Sequence, residues 1–187
     1  MKILTLHCDY IKFKPLTKAI QKADELSEKT KEQTEVKEPL VILIAVETGD
    51  AETQLNQLIE AIEKTAKDVN AKNIVLYPYA HLSSKLAKPE HAQSILQQAE
   101  KILSKKFKVT KAPFGYYKEF ELKVKGHPLS ELSNEFTALV ESKGNDVEDY
   151  DHKELLRKME KIKMSAIKAP NNLKSNVELG RDLDLYI

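Results

Sequence analysis

The sequence predicts a mixed α/β domain in which two helices cover a sheet. Three observations indicate this fold class. Residues 40–47 form a short continuous apolar run, which is typical of a strand buried on both faces. Residues 55–69 and 89–105 each repeat apolar side chains at helical spacing. Strand-like segments lie before, between and after these two helices, as expected when helices pack on a sheet.

The elements are predicted in a definite order. Residues 2–9 alternate weakly and are rich in Ile, Leu and Thr, so we expect a first strand, which residues 10–14 continue after a bend. Residues 14–38 contain 12 charged side chains in 25, so we expect a solvated excursion that is partly helical or mobile. Further strands are predicted at 40–47, 73–78, 108–112 and 118–125. Two helices are predicted, one of them at 89–105. The other has these apolar residues on one face: Leu55, Leu58, Ile59, Ile62, Ala66 and Val69.

Composition excludes several classes of protein. The longest apolar stretch, residues 39–46, is far shorter than the roughly 18–20 residues of a membrane span, and no signal peptide is visible, so we expect a cytoplasmic protein without membrane contact. The single cysteine, Cys8, excludes an internal disulfide and a Cys-x-x-Cys zinc site. With 30 basic and 29 acidic residues, any binding to nucleic acid must depend on a local basic group.

The domain organisation changes near residue 140. Residues 1–140 are predicted to form the α/β domain. Residues 141–175 are predicted as a polar linker that contains a helix at 152–168, since residues 141–151 are polar and acidic and Leu155, Leu156, Met159 and Ile162 fall on one helical side. Residues 176–187 are apolar-periodic but too few to form a core of their own.

Three short segments are rich in functional side chains at the ends of predicted strands, where α/β folds place their sites: residues 77–84 (YPYAHLSS), 112–118 (APFGYYK) and 126–133 (GHPLSELS). Together with residues 7–10 (HCDY), they resemble the N-terminal editing domain of archaeal threonyl-tRNA synthetases, which has the fold of D-aminoacyl-tRNA deacylases. The resemblance covers about residues 1–138. Residues 176–186 are similar to the segment that opens the aminoacylation core of these synthetases.

The resemblance implies an aminoacyl-tRNA hydrolase that removes L-serine mischarged on tRNA(Thr) and spares threonyl-tRNA(Thr). A threonine pocket cannot exclude serine well, because one methyl group is worth only about 1–3 kcal/mol of discrimination, so a second, hydrolytic site is needed. The implied partners are the 3′ end of tRNA(Thr), the catalytic and anticodon-binding domains of the synthetase and a second copy of the domain. No cofactor is expected for editing; ATP and zinc would belong to the missing aminoacylation core. Two alternatives stay open: a D-aminoacyl-tRNA deacylase, and a non-catalytic module for tRNA binding or dimerisation.

The catalytic candidates match positions of the family motifs. Lys118 is the leading one, acting either as a neutral general base or, as we favour, as an ammonium group that orients water and stabilises negative charge. His81 is expected to hold water or the terminal ribose or adenosine. Tyr117 offers a hydroxyl or a stacking ring, although it and Lys118 should point to opposite faces of a strand. Glu131 is expected to fix Lys118 or to receive the serine ammonium, unless it is only a first-turn helix residue.

The predicted substrate-binding residues shape a tight pocket in which backbone groups meet the substrate; they are Pro78, Ala80, Pro113, Phe114, Val46 and Glu47. No metal site is predicted. His7, Cys8 and Asp9 are adjacent and alternate faces on a strand, and no second ligand cluster is spaced to complete a site.

Overall fold

The computed structural model describes residues 1–21 and 23–137. The predicted linker, its helix and the tail at 141–187 lie outside the described residues. Within them the chain forms seven strands and three α-helices: β1 (Lys2–Lys18), α1 (Glu28–Lys31), β2 (Thr34–Lys37), β3 (Pro39–Ala45), α2 (Glu52–Asp68), β4 (Asn73–Pro78), α3 (Pro89–Leu103), β5 (Lys108–Lys111), β6 (Tyr116–Val124) and β7 (Glu131–Glu135).

The long strand β1 joins two layers of sheet. Its first half pairs antiparallel with β3 on one side and with β7 on the other, and β4 and β5 extend the sheet from β3 as parallel strands. Its second half pairs antiparallel with β2 and β6. The register of the β1–β6 pair shifts between Cys8 and Tyr10, which is where the sequence predicts a bend. The second half of β1 therefore belongs to a different layer from the first.

Two cores follow from this arrangement. One face of β3 and β4 packs against the apolar sides of α2 and α3, with Ile42, Leu58 and Leu96 fully or almost fully buried. The opposite face is covered by the second half of β1 and by β6, where Ile11 and Phe13 pack against strand residues such as Val75. Because both faces of β3 are covered, all seven of its residues are buried, as the continuous apolar run predicts.

The predicted mixed α/β class with two covering helices is confirmed. The strand at 73–78 has the predicted bounds, and α2 and α3 occupy the two predicted helical segments. The prediction for residues 14–38 is partly wrong. β1 runs on to Lys18, and β2 forms within the charged segment because Val36 alternates with polar residues at the edge of a sheet. The helical part is the single turn α1, capped by Ser27, whose Oγ accepts a bond from the Thr30 amide.

The strand β7 was not predicted. Its sequence, ELSNE, has one apolar residue, and four of its five side chains are exposed at the sheet edge. Glu131 is therefore the first residue of a strand, which contradicts the helix-turn alternative for this residue. No helix in the described residues is long and apolar enough to cross a membrane.

Candidate active site

A cavity of about 540 Å³ opens at the carboxyl ends of the parallel strands β3 and β4. This is the edge at which α/β sheets place their ligands. The ends of these strands form its floor, α3 forms one wall, and the segment that enters β6 forms another. The lining residues used below are Ala19, Ile20, Val46, Tyr77, Pro78, Tyr79, Ala80, His81, Phe114, Tyr117, Lys118 and Phe120.

Lys118 projects from β6 into this cavity. Its Nζ donates hydrogen bonds to the backbone carbonyls of Pro113, at 3.0 Å, and of Tyr116, at 2.8 Å. It also lies 5.1 Å from the centre of the Tyr77 ring. No aspartate or glutamate is among the cavity-lining residues in the described part of the chain. Burial without a carboxylate partner lowers the pKa of Lys118 to about 8.

The turn at Gly115 gives Lys118 its position. Gly115 has a φ of +77°, and a Cβ at this residue would lie 2.8 Å from the Cβ of Ala23. Its carbonyl accepts bonds from the amides of Ala19 and Ile20, so the segment after β1 is held against the turn. Only glycine satisfies both the backbone angle and the close approach. The turn brings the carbonyls of Pro113 and Tyr116 to the same amine, Nζ of Lys118.

A set of aromatic rings packs around Tyr77, whose ring lies next to the amine of Lys118. Tyr77 lies at the centre of a set of edge-to-face contacts, at 5.5 Å from Phe120, 5.9 Å from Phe13 and 6.3 Å from Tyr79. Tyr79 continues the set to His81, with ring centres 5.3 Å apart. Burial raises the pKa of Tyr77 to about 12, so its hydroxyl stays neutral at physiological pH.

Most of the predicted site residues meet at this cavity. Val46, Pro78, Ala80, His81, Phe114, Tyr117 and Lys118 all line it. Pro113 is not among the lining residues, although its carbonyl contacts Lys118. Tyr117 is 62% exposed at the rim, as expected if its side chain alternates away from that of Lys118.

Glu47 and Glu131 are placed differently from the other candidates. Glu47 does not line the cavity; its carboxylate accepts bonds from Ser83 Oγ and from the Met1 ammonium, the latter at 2.9 Å. Burial opposes its ionisation, but these two bonds outweigh burial and lower the pKa of Glu47. Glu131 pairs with Leu6 in the sheet and is not among the cavity-lining residues. Neither carboxylate is among the groups that contact Lys118, and that of Glu47 holds Ser83 and the N-terminus.

Sequence reasoning missed Tyr77 and Phe120 as parts of the site. The signal for Phe120 was its spacing two residues after Lys118, which places both side chains on one face of β6. Tyr77 lies inside a segment that the sequence singles out, but its contact with Lys118 depends on β6 folding over β4. Ala19 and Ile20 also line the cavity and come from the segment predicted as a solvated excursion.

The residues weighed as metal ligands lie elsewhere. His7 and His127 share a hydrogen bond of 2.8 Å between Nδ1 and Nε2, and burial, followed by the nearby His127, lowers the pKa of His7. Burial raises the pKa of the Cys8 thiol to about 11. Among residues 1–21 and 23–137, no three His, Cys, Asp or Glu side chains are grouped to hold a metal ion.

Comparison with known proteins identifies related sequences. The family model of the archaea-specific editing domain of threonyl-tRNA synthetase matches residues 1–136. The threonine--tRNA ligase of Methanococcus maripaludis strain C7 is 46% identical over 142 residues, which cover 73% of this chain and 22% of that protein. That of Pyrococcus horikoshii is 45% identical over 137 residues, covering 71% and 22%. The chain thus spans about a fifth of the length of these curated relatives.

Among solved structures, the c-Myc DNA Unwinding Element Binding Protein matches with a TM-score of 0.55 and 12% identity, covering 74% of this chain and 100% of that chain. At this identity the match concerns the fold alone. It shows that the described α/β fold is shared with that protein.

Proposed function

Because the chain belongs to the archaea-specific editing domains of threonyl-tRNA synthetase, which are aminoacyl-tRNA hydrolase domains, we propose that it hydrolyses the ester of L-serine mischarged on tRNA(Thr) and spares threonyl-tRNA(Thr). The observation that supports this most strongly is Lys118. Its amine is half-buried in a cavity at the carboxyl edge of the sheet, and it is held by two carbonyls rather than by a carboxylate.

The proposed role of Lys118 is that of a charged hydrogen-bond donor. An ammonium group has three N–H bonds, and two of them donate to Pro113 and Tyr116. The third is available to water or to the carbonyl oxygen of the ester. Water attacks the ester carbon, negative charge develops on the carbonyl oxygen, and the bond to the ribose oxygen breaks as a proton lost by the attacking water passes to that oxygen. The ammonium group stabilises the developing charge from its half-buried position in the cavity.

The proposed roles of His81 and Tyr117 are to contact the terminal nucleotide. Both line the cavity at its exposed rim, where a ribose and base would enter. His81 can hold water or the ribose, and the exposed Tyr117 ring can stack on adenine. Glu131 does not line the cavity. Its proposed contact with the serine ammonium therefore requires another part of the assembly to bring the Glu131 side chain to the cavity.

Selection of serine over threonine is proposed to depend on rigid walls. Pro78 is conformationally constrained, Ala80 is small and Phe114 adds an aromatic ring, and Val46, which also lines the cavity, is 4% exposed. A fixed wall rejects one additional methyl group by steric conflict, and the gain is about 10–200-fold.

The wider setting is also a proposal. The partners are the 3′ end of tRNA(Thr), the other domains of the synthetase and a second copy of this domain, in the cytoplasm. Editing needs no cofactor, since water is the only co-reactant.

The test is deacylation of L-seryl-, L-threonyl- and D-seryl-tRNA(Thr) by the 187-residue chain, with a no-enzyme control for each ester. Selective loss of the L-seryl ester is the expected result. Preferential loss of the D-seryl ester would replace the proposal with the D-aminoacyl-tRNA deacylase alternative. If no ester is cleaved while the chain binds tRNA(Thr), a binding module is the better description.

A further inference from the structure

We propose that Tyr77 is a positioning residue for Lys118: the face of its ring holds the ammonium group over the cavity and keeps it charged. This inference rests on the proposed deacylation for its effect on rate, but not for its effect on the titration of Lys118. No role for Tyr77 follows from the sequence motifs.

The geometry supports an attraction between the cation and the ring. Nζ of Lys118 lies 5.1 Å from the centre of the Tyr77 ring, within the roughly 6 Å over which a ring face attracts a cation. Tyr77 is 2% exposed. The attraction is stronger where water is excluded, since water would otherwise solvate the cation.

The ring itself is fixed in place. Phe13 and Phe120 meet it edge-to-face, with interplanar angles of 89° and 62°. Phe13 comes from β1 and Phe120 from β6, so the position of the Tyr77 ring reports how the second sheet layer folds over β4. Two aromatic contacts from different strands thus hold the ring that lies next to the amine.

The other groups around Lys118 do not provide this charge stabilisation. β1 contributes Pro15, its register partner, and Phe13, neither of which ionises. The turn contributes two carbonyls. The titratable side chains lining the cavity with Lys118 are His81 and the tyrosines Tyr77, Tyr79, Tyr116 and Tyr117, and none of them is a carboxylate. The neighbours Glu119 and Glu121 on β6 alternate away and do not line the cavity. Besides the two carbonyls, the Tyr77 ring is thus an electron-rich group within reach of the cation.

Three variants separate this role from ordinary packing. Tyr77→Phe keeps the aromatic ring. Tyr77→Met removes the ring but keeps an apolar side chain of similar bulk. Phe13→Leu is the matched control, because it weakens the same aromatic cluster without removing the Tyr77 ring, and Phe13 does not line the cavity. The first measurement is the titration of the Lys118 amine by NMR in the substrate-free 187-residue chain.

We expect the Lys118 amine of Tyr77→Met to titrate about half a pH unit lower than that of wild type, which is about threefold in the acid constant. Tyr77→Phe should titrate like wild type, and Phe13→Leu, which keeps the Tyr77 ring, should shift the titration less than Tyr77→Met does. Seryl-tRNA(Thr) deacylation by Tyr77→Met should fall about tenfold in kcat with little change in KM, and Tyr77→Phe should restore it.

An unchanged titration in Tyr77→Met, or an equal change in Phe13→Leu, would overturn the inference. If the titration behaves as expected but wild type cleaves no seryl ester, the inference about Tyr77 stands and the proposed function fails. The two failures are therefore distinguishable.

Discussion

Two lysines at opposite ends of β6 have opposite electrostatic surroundings. Lys118 donates to two carbonyls in a cavity, and burial lowers its pKa to about 8. Lys125, just beyond the strand, forms ion pairs with Asp9 at 2.6 Å and Glu38 at 2.9 Å. Hydrogen bonds from Lys125 to Asp9 and then to Glu38 raise its pKa. The comparison shows that carboxylate partners favour the charged form of one lysine, whereas burial without them disfavours the charged form of the other.

The largest effect expected is from Lys118→Met. Deacylation of seryl-tRNA(Thr) should fall by at least about hundredfold, because the donor to the developing oxyanion is removed. The measurement is the single-turnover rate of both the variant and Lys125→Met, which is a matched control just beyond the other end of β6. Equal loss in the two variants, or a rate within a few-fold of wild type in Lys118→Met, would contradict the contrast between the two lysines.

A substitution at Gly115 tests whether this turn gives Lys118 its surroundings, which differ from those of Lys125. Gly115→Ala should lower the free energy of unfolding by about 1–3 kcal/mol, because φ is positive and the new Cβ would approach Ala23. It should also slow deacylation, since Lys118 depends on this turn. Gly126→Ala is the control, because nothing lies within 4 Å of its added Cβ. Urea unfolding of both variants gives the comparison; equal losses would show that the turn has no special constraint.

A smaller effect concerns stability as a function of pH. Burial lowers the folded-state pKa of Lys118, so the unfolded chain holds this proton more tightly. The contribution of Lys118 to the free energy of unfolding should therefore rise as the pH increases from about 8 towards about 10.4, the ordinary pKa of a lysine. Lys118→Met should be more stable than wild type at pH 7, with the advantage shrinking by pH 10. Urea unfolding at both pH values checks this, and an advantage that grows with pH would show that the sign is wrong.

The smallest effect is expected from Lys125→Met. Its partner Asp9 keeps a second ion pair with Lys123 at 3.1 Å, and exposed pairs contribute little to stability. The melting temperature should fall only slightly, and deacylation should stay within about twofold of wild type. A larger loss of activity would mean that this end of β6 communicates with the cavity.

The parts of the fold that the sequence predicts well have strong local patterns. The strand at 73–78 and the helices α2 and α3 follow from apolar runs and helical spacing. By contrast, β7 has one apolar residue and exists because the first half of β1 offers it an edge. Its position depends on a partner more than a hundred residues away, which no local pattern reveals.

The site residues likewise divide into those with a local sequence signal and those that depend on long-range packing. Motif resemblance identified Lys118, His81 and most of the wall residues that line the cavity. The cluster of Tyr77, Phe13 and Phe120 depends on the second half of β1 pairing with β6 and folding over β4. The expectation that Glu131 fixes Lys118 came from residue type, whereas the described structure holds the lysine with carbonyls and a ring.

The measurement that tests the central claim most directly is the pH dependence of single-turnover seryl-tRNA(Thr) deacylation by wild type and Lys118→Arg, after subtraction of uncatalysed hydrolysis. If the charged lysine is the active form, the wild-type rate is level below pH 8 and falls above it. Lys118→Arg, which stays charged, lacks that fall even at a lower overall rate. A wild-type rate that rises to a plateau near pH 8 would instead make Lys118 a general base. A fall that persists in Lys118→Arg would assign the titration to another group and contradict the account.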